Sequence, residues 1–452
     1  MSEEETDFAI QKEVLMVNQT NSEVAITRYD GTINALTKGI DLIKGLEGLS
    51  PSDNILIKPN VVWGSGGNEP KFGMITTSRM IEDIIILLRE KGCHKISIGE
   101  GSLANDETGA NTFKAFAWSG IEKLAKKYDV KLIDFNTTHK KVKLGKNNFE
   151  IAPSVFETDF LIDVPVLKTH ATTKVSLGMK NLKGCLSMKS KKKFHMLDLN
   201  KMIALLSTHV KPNLTVIDGI YALERGPMSS GRAYRTNLII TGKDVFSCDM
   251  VGSAVLGIDP KTVDHFIRFS ELNDRPIEIE SVNVMGEKIE DVLKPLRWQV
   301  DFEVSFRLAG IDGITVQWPG ERFCTNCVIC SGDLLKYFCK DNAGIEVEPV
   351  ELCFGGEVKA KEDSKKVISI GDCAIRSNRA NKNAIKVEGC PPSISECLKI
   401  VTNNTLDKKR ARKILAIRYF KELLSKFGVY NENFPRKFTY DMPEFDPKHF
   451  KI

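Results

Sequence analysis

Short runs of β-branched and apolar residues alternate with helical patterns from residue 23 to about residue 285, which limits the chain to few folds. Strands separated by helices predict a parallel sheet covered by helices. The runs predict strands at residues 24–27, 54–58, 95–99, 131–135, 160–164, 214–218 and 238–241. Helices are predicted between them at 78–91, 111–127 and 245–256. We therefore expect residues 1–300 to form an α/β domain with a mostly parallel, open sheet.

The composition is that of a globular protein, because 42% of the residues are apolar and 27% are charged. No stretch approaches the roughly 20 apolar residues that a membrane span requires. The first five residues are acidic where a secretory signal would be basic, so we expect a cytoplasmic protein. The net charge of +5 is too small for a dedicated nucleic-acid binder, unless the charge is concentrated in one segment.

Eight of the eleven cysteines lie between Cys324 and Cys397, which indicates a separate cysteine-rich module. We place this smaller α/β module at residues 301–405 and a basic C-terminal helix and tail at 406–452. Within the module, helices are predicted at 331–340 and 393–402 and a strand at 366–370. The basic helix, predicted over 406–427, has a face that is either solvated or contacts a membrane surface or a partner.

The spacing of the cysteines favours an iron–sulfur cluster. Cys324, Cys327 and Cys330 form a C-x-x-C-x-x-C run, and Cys373 and Cys390 follow in Gly-Asp-Cys-Ala and Gly-Cys-Pro-Pro motifs. A cubane cluster needs four converging thiolates, which a close pair and distant single cysteines supply. A zinc site is less favoured, because sixteen residues separate Cys373 from Cys390 and no second isolated C-x-x-C exists. Buried or redox-sensing thiols are the third alternative.

The first cysteine motif, the Trp-Pro-Gly-Glu-Arg-Phe before it and the two later motifs resemble a known pattern. They are similar to the proximal [4Fe-4S] motif of nickel–iron hydrogenase small subunits and their relative in respiratory Complex I. The resemblance implies one [4Fe-4S] cluster held by Cys324, Cys327, Cys373 and Cys390, with Cys330 as the alternate ligand. Three further cysteines would hold part of a second cluster or act as small buried hydrophobes: Cys339, Cys353 and Cys397.

A lysine-rich segment, residues 168–197, contains eight lysines, two histidines and no acidic residue. Such a positive field attracts an anion, and the carboxyl edge of an open α/β sheet is where these folds bind ligands. The candidates for catalytic acid–base work are Lys168, His170 and Lys180. The candidates for substrate or anion binding are Lys58, Asn60, Glu100, Ser102, Asn181 and Lys183. The stretch 189–193 is expected to be a solvated face. For Glu100, the alternative to substrate binding is contact with a metal or a cationic group.

Six motifs of the first domain together resemble one family. They are Ile-Lys-Pro-Asn at 57–60, Thr-Thr at 76–77, Gly-Glu-Gly-Ser at 99–102, Pro-Val-Leu-Lys-Thr-His at 165–170, Lys-Asn-Leu-Lys-Gly at 180–184 and Val-Ile-Asp-Gly at 216–219. This set is similar to the family called domain of unknown function 362, over roughly residues 50–260. Members often carry ferredoxin-like cluster segments, whereas the cysteine module here resembles the hydrogenase pattern, and the family implies no particular reaction.

Three classes of function are consistent with these residues. The favoured one is an iron–sulfur redox protein, an electron carrier or oxidoreductase that passes single electrons to an anionic small molecule, a cofactor or a redox partner protein. The second is a non-redox enzyme that acts on a carboxylate or phosphate ligand, with a structural or Lewis-acid cluster. The third is a scaffold that binds an anion or a partner without chemistry. Four cysteine ligands favour the first class, and an open iron site favours the second.

Overall fold

The computed structural model describes residues 22–64, 72–103, 111–226, 232–299, 306, 309–319 and 325–426. The chain forms two compact units, which meet in the sequence between Trp298 and Gln299. Among the described residues, no helix is long and apolar enough to span a bilayer.

The described part of the first unit contains twelve strands and eleven α-helices. The strands are β1 (Ser22–Arg28), β2 (Ile55–Pro59), β3 (Ile96–Glu100), β4 (Lys131–Asp134), β5 (Lys140–Leu144), β6 (Asn147–Ile151), β7 (Phe160–Val164), β8 (Val166–His170), β9 (Lys174–Val175), β10 (Leu214–Gly226), β11 (Arg232–Gly242) and β12 (Val282–Gly286). The helices are α1 (Asn34–Leu42), α2 (Ser78–Glu90), α3 (Thr112–Ser119), α4 (Ile121–Tyr128), α5 (Ser154–Glu157), α6 (Gly178–Asn181), α7 (Met188–Met196), α8 (Leu199–His209), α9 (Val245–Val255), α10 (Asp264–Asn273) and α11 (Ile289–Val292).

Ten of these strands form one sheet, whose main order is β12-β1-β11-β10-β7-β2-β3-β4, with β8 beside β10 and β9 beside β8. The five strands from β10 to β4 pair in parallel, which confirms the predicted α/β class and mostly parallel sheet. Strand β11 is antiparallel to both of its neighbours, β1 and β10. Strands β5 and β6 form a separate antiparallel hairpin, which the sequence analysis did not predict.

Local sequence signals explain where several helices begin and end. Thr77 caps the N-terminus of α2, because its side chain accepts a hydrogen bond from the Met80 backbone N–H. The single helix predicted over 111–127 is wrong, because Gly120 takes a φ of 86° and divides it into α3 and α4. A left-handed glycine ends a helix readily, since it has no Cβ to clash. The chain can therefore turn between two short amphipathic helices.

The core of the first unit lies on both faces of the sheet. One apolar cluster joins sheet residues such as Ile57 and Ile98 to α2 residues such as Ile84. A second cluster packs Ile217 and Ile240 against Phe246 of α9. Burying each of these side chains contributes roughly 1.5–3 kcal/mol, so the central strands are fixed firmly in place. The ends of these strands consequently provide a rigid platform.

The described part of the second unit is built on a four-stranded parallel sheet. Its elements are β13 (Ile314–Gln317), α12 (Thr325–Asn342), β14 (Val350–Phe354), β15 (Val367–Ile370), α13 (Asp372–Ser377), β16 (Ile385–Val387), α14 (Ile394–Thr405) and α15 (Lys408–Lys426). The helices predicted at 331–340, 393–402 and 406–427 correspond to α12, α14 and α15, and the strand predicted at 366–370 corresponds to β15. The strands pair in the order β13-β14-β15-β16, so the loops after all four begin at the same edge.

Candidate functional site

The carboxyl ends of β2, β3 and β7 bring charged side chains together inside the first unit. Lys58 of β2 is in register with Asp163 of β7, and Glu100 is the last residue of β3. Lys58 and Asp163 are fully buried, and Glu100 is 2% exposed. A buried charge is costly unless it is paired and hydrogen-bonded. The partners of these side chains therefore decide what each of them can do.

One group of side chains at this edge, which we call the closed network, has five members: Lys58, Asn60, Glu100, Lys168 and Asn181. Lys58 Nζ donates to Glu100 Oε2 at 2.7 Å, to the Pro59 carbonyl oxygen at 2.7 Å and to Asn181 Oδ1 at 3.0 Å. An ammonium group has three protons, so all of its donors have acceptors. Lys58 therefore stabilises the network and has no further proton to donate to a ligand.

The Glu100 carboxylate accepts hydrogen bonds from several groups of the protein. Besides Lys58, it accepts the backbone N–H of Val61 at 3.1 Å and that of Gly101 at 2.8 Å. A Cβ at Gly184 would lie 2.2 Å from Glu100 Oε1 and 2.6 Å from Lys58 Nζ. Only glycine permits this close approach, which explains the last residue of the Lys-Asn-Leu-Lys-Gly motif.

Lys168 joins the network through Asn60. Its Nζ donates to Asn60 Oδ1 at 2.6 Å and to the Met74 carbonyl oxygen at 2.7 Å. Asn60 Nδ2 in turn donates to Asn181 Oδ1 at 3.0 Å. Burial and the nearby charge of Lys58 lower the pKa of Lys168 to about 7. Lys168 can therefore gain or lose a proton close to neutral pH.

Two buried carboxyl groups lie behind the network, and the sequence analysis did not select either of them. Asp163 Oδ1 accepts from Asn181 Nδ2 at 2.8 Å, and burial raises the pKa of Asp163 to about 8. Asp249 accepts the backbone N–H groups of Gly178 at 2.7 Å and Met179 at 2.8 Å, and burial raises its pKa as well. The sequence signal was a charged residue inside an otherwise apolar element, a strand for Asp163 and helix α9 for Asp249, which is rare without a partner.

A second group, which we call the cation cluster, also has five members: His170, Lys180, Lys183, His195 and His265. They come from β8, α6, the short 3-10 helix Leu182–Cys185, α7 and α10. His170 and His265 are fully buried, whereas Lys180, Lys183 and His195 are partly exposed. The cluster therefore extends from the interior to the surface. His265 lies outside every motif, so no sequence signal pointed to it.

The members of the cation cluster lower one another's pKa values, because each positive charge disfavours a second one nearby. Burial lowers the pKa of His170 well below its usual value, and the charges of Lys180, Lys183 and His195 lower it further. Burial and neighbouring lysines also hold the pKa of Lys180 well below its usual range. For His265, burial and the charge of Lys180 lower the pKa to about 3. An anion at this place would reverse these shifts, because it would favour the charged forms.

Ser102 and Lys191, near the same edge, donate hydrogen bonds to backbone carbonyl oxygens of the protein. Ser102 donates its hydroxyl to the Val61 carbonyl oxygen, which joins the loops after β2 and β3. The prediction of a solvated face at 189–193 is wrong for Lys191, which is 8% exposed and donates to the Gly101 carbonyl oxygen. Burial lowers the pKa of Lys191 to about 8. The reason is that the stretch folds as helix α7, one face of which packs inward.

The structure brings two of the predicted cluster ligands to one edge of the second sheet. Cys373 lies in the first turn of α13, directly after β15, and Cys390 follows the neighbouring strand β16. The Asp372 backbone N–H donates to the Gly389 carbonyl oxygen at 3.2 Å, and the Gly389 N–H donates to Asp372 Oδ1 at 2.8 Å. Cys373 is partly exposed and Cys390 is exposed. Both thiols are therefore accessible.

The other predicted ligands are placed differently. Cys324 lies outside the described residues. Cys327 and Cys330 are buried and lie one turn apart on α12, and Cys330 Sγ is 3.6 Å from Cys397 Sγ of α14. In the described part of the chain, no three His, Cys, Asp or Glu side chains come together as a metal-binding group. The four-cysteine ligand set therefore stays a prediction.

All of the closed network, and all of the cation cluster except His265, lie within a stretch that matches a known family. Residues 55–254 match the family described as Domain of unknown function (DUF362). The DUF362 match confirms, over these residues, the resemblance that the six motifs indicate. A thylakoid-associated protein of Synechocystis sp. is 27% identical to this chain over 265 residues, which cover 55% of this chain and 79% of that protein. The DUF362 match ends before the cysteine-rich unit, so the resemblance of that unit to hydrogenase small subunits stays a prediction.

Proposed function

We propose that the chain is an iron–sulfur redox protein. A [4Fe-4S] cluster carried by the second unit would supply single electrons, and the first unit would bind the anionic substrate, cofactor or redox partner protein. The observation that carries the redox assignment is the position of Cys373 and Cys390 on hydrogen-bonded loops at one edge of a parallel sheet. The proposal includes a cytoplasmic location, where reductants keep thiols available as ligands.

The cysteines of the second unit fit the thiolate donor set that an iron–sulfur cluster requires. In the sequence, Cys324 follows β13, Cys373 follows β15 and Cys390 follows β16, so three of the four proposed ligands come after strands of the same parallel sheet. The loop after β14 also approaches this place, since a Cβ on Gly356 would lie 3.7 Å from the Cys373 Cβ. When bound, such a cluster supplies one-electron transfer.

In this proposal, the first unit would bind the anion and would hold or release a proton near it. The cation cluster would hold the anion, because its imidazoles and lysines lie among other cations and a negative partner would stabilise their charged forms. Lys168 can hold or release a proton at Nζ near neutral pH, since burial and the charge of Lys58 lower its pKa to about 7. A proton from Lys168 could therefore accompany an electron added to the anion.

The test is anaerobic isolation of the full chain with measurement of iron, acid-labile sulfide and zinc, followed by electron paramagnetic resonance after reduction with dithionite. We expect about four iron and four sulfide ions per chain. Cys373→Ser and Cys390→Ser should lower the iron content and change the spectrum. Cys339→Ser, at a partly exposed cysteine on α12 outside the proposed ligand set, is the matched control and should keep both.

Stoichiometric zinc without sulfide would contradict the redox proposal. The low pKa of Lys168 favours a second candidate in that case, namely acid–base chemistry on a bound carboxylate or phosphate without electron transfer. An unchanged spectrum in Cys373→Ser would instead show that a different set of cysteines holds the cluster.

A further inference from the structure

We propose that the cation cluster binds a doubly charged oxyanion, of the phosphoryl or sulfate kind, and takes up protons as it does so. This inference rests on the anion binding in the proposed function and names the class of anion. It involves residues of the first unit alone, so it can be tested separately from the iron–sulfur cluster.

His170 presents a buried donor without an acceptor in the described part of the chain. Its Nδ1 accepts the backbone N–H of Thr172 at 3.1 Å, so the proton of the neutral imidazole lies on Nε2. Nε2 is buried and has no hydrogen-bond partner among the described residues. An unsatisfied buried donor lowers stability, and an oxyanion would supply the acceptor that Nε2 needs.

The same reasoning applies to the two other histidines. His195 Nε2 contacts Lys183 Nζ, and because an ammonium group can only donate, Nε2 accepts. The proton of neutral His195 then lies on Nδ1, which is buried without a partner among the described residues. Neither ring nitrogen of His265 has a partner there, although its ring is fully buried. Three imidazole N–H groups of the cation cluster therefore lack acceptors among the residues that the structure describes.

The charges around these rings favour a dianion over a metal ion. Burial lowers the pKa values of His170, His195 and His265 most, and the charged groups that lower them further are cations of the cluster itself, together with Lys168 of the closed network. Cations repel a metal ion and attract an anion. Two lysines with adjacent imidazoles match an anion of at least two charges.

Binding of such an anion must be linked to protons. The pKa values of His170, His195 and Lys180 are held well below their usual ranges by burial and by neighbouring cations. A bound dianion raises these pKa values, because it stabilises the protonated forms. The complex therefore carries more protons than the separate protein and anion. By linkage, the affinity falls as the pH rises.

The experiment is isothermal titration of the full chain with sulfate at pH 6, 7 and 8, in buffers of different ionisation enthalpy. Sulfate is chosen because it does not itself titrate in this range, and phosphate serves as the second dianion. We expect net proton uptake on binding, and an association constant that falls about tenfold per pH unit for each proton taken up. Acetate and chloride, which carry one charge, should bind at least about tenfold more weakly.

Matched variants locate the binding at the cation cluster. Lys180→Met and His170→Gln should each weaken sulfate binding roughly tenfold to a hundredfold, since each removes one charge-assisted contact. Lys192→Met on α7 and His209→Gln on α8 change exposed residues and should leave the affinity unchanged. Circular dichroism and iron content, measured on every variant, show whether the fold and the cluster are intact.

The first three of the following outcomes would overturn the inference. Acetate binding as tight as sulfate binding, without proton uptake, would contradict the dianion and leave the proposed function intact. Equal sulfate affinity in Lys180→Met and Lys192→Met would place any bound anion elsewhere. If neither sulfate nor phosphate binds a protein that contains its iron–sulfur cluster, the anion binding in the proposed function is contradicted as well. Normal sulfate binding by a chain without iron would contradict only the redox assignment.

Discussion

The closed network and the cation cluster belong to the same sheet edge, yet they differ in how their positive charges are compensated. In the closed network, Lys58 lies against Glu100, and all three of its protons have acceptors. In the cation cluster, Lys180 has other cations as its charged neighbours, and the Nε2 of His170 lacks a partner among the described residues. Lys58 is therefore fully compensated within the protein, whereas the cation cluster would be compensated by an anion from outside it.

The comparison teaches that a buried lysine is not by itself evidence of a ligand site. A buried ion pair with all hydrogen bonds made is a structural element, and removing one partner is strongly destabilising. Uncompensated buried cations lower stability and are kept where function needs them. Substitutions in the two groups should therefore change stability in opposite directions.

The largest effect is expected from Glu100→Gln, which leaves the Lys58 ammonium buried without its counter-charge. Breaking a buried pair in this way costs about 3–5 kcal/mol. Denaturant unfolding of the full chain measures it, with the transition of the first unit followed by near-ultraviolet circular dichroism. The double variant Lys58→Met, Glu100→Gln is the control and should lose less than the sum of the two single variants, because it leaves no unpaired charge. A single-variant loss under about 1 kcal/mol would contradict the closed network.

Gly184→Ala tests the close packing of the same network. The added Cβ would lie 2.2 Å from Glu100 Oε1, so the ion pair must move. Overpacking of this kind typically costs about 1–3 kcal/mol. The comparison variant is Gly356→Ala, where the nearest atom lies at an ordinary 3.7 Å. Similar denaturant midpoints of unfolding for Gly184→Ala and the unchanged chain would contradict the close packing of Gly184 against Glu100.

Asp163→Asn tests how burial controls protonation behind the network. Burial raises the pKa of Asp163 from 3.8 to about 8, so its contribution to stability is full below pH 4 and is lost as the pH rises towards 8. Asparagine does not titrate, so the stability of the variant relative to the unchanged chain should rise by about 1–1.4 kcal/mol per pH unit between pH 5 and pH 8. Unfolding curves at both pH values measure this gain. A constant difference between the two proteins would contradict the raised pKa.

The smallest effect, and the one opposite in sign, is expected from Lys180→Met. Removing one cation from the cation cluster should stabilise the protein by about 0.5–1 kcal/mol in buffer without dianions. Thermal unfolding at low salt measures it, and added sulfate should reverse the order because the unchanged chain binds it more tightly. Lys58→Met is the counterpart in the closed network and should destabilise the protein. Equal losses from the two variants would remove the distinction between the groups.

The sequence predicted the main strands and their edge because both depend on local patterns. Apolar runs such as those of β2 and β7 identify buried parallel strands, and their carboxyl ends carry the predicted motifs. The sequence did not predict the β5–β6 hairpin, whose strands are largely polar and only half-buried. Nor did it predict the break at Gly120, since a glycine inside a helical pattern is compatible with either outcome.

By itself, the sequence determined the α/β order, the DUF362 motifs and a lysine-rich segment without acids. Only the tertiary structure decided which lysines of the first unit are neutralised. Lys58 meets Glu100, 42 residues away, and Asn181, 123 residues away. Lys180 donates to the Ser176 hydroxyl at 3.3 Å and has no acidic partner in the described part of the chain. The physical reason is that charge compensation and burial depend on neighbours in space, which strand pairing brings together from distant parts of the sequence.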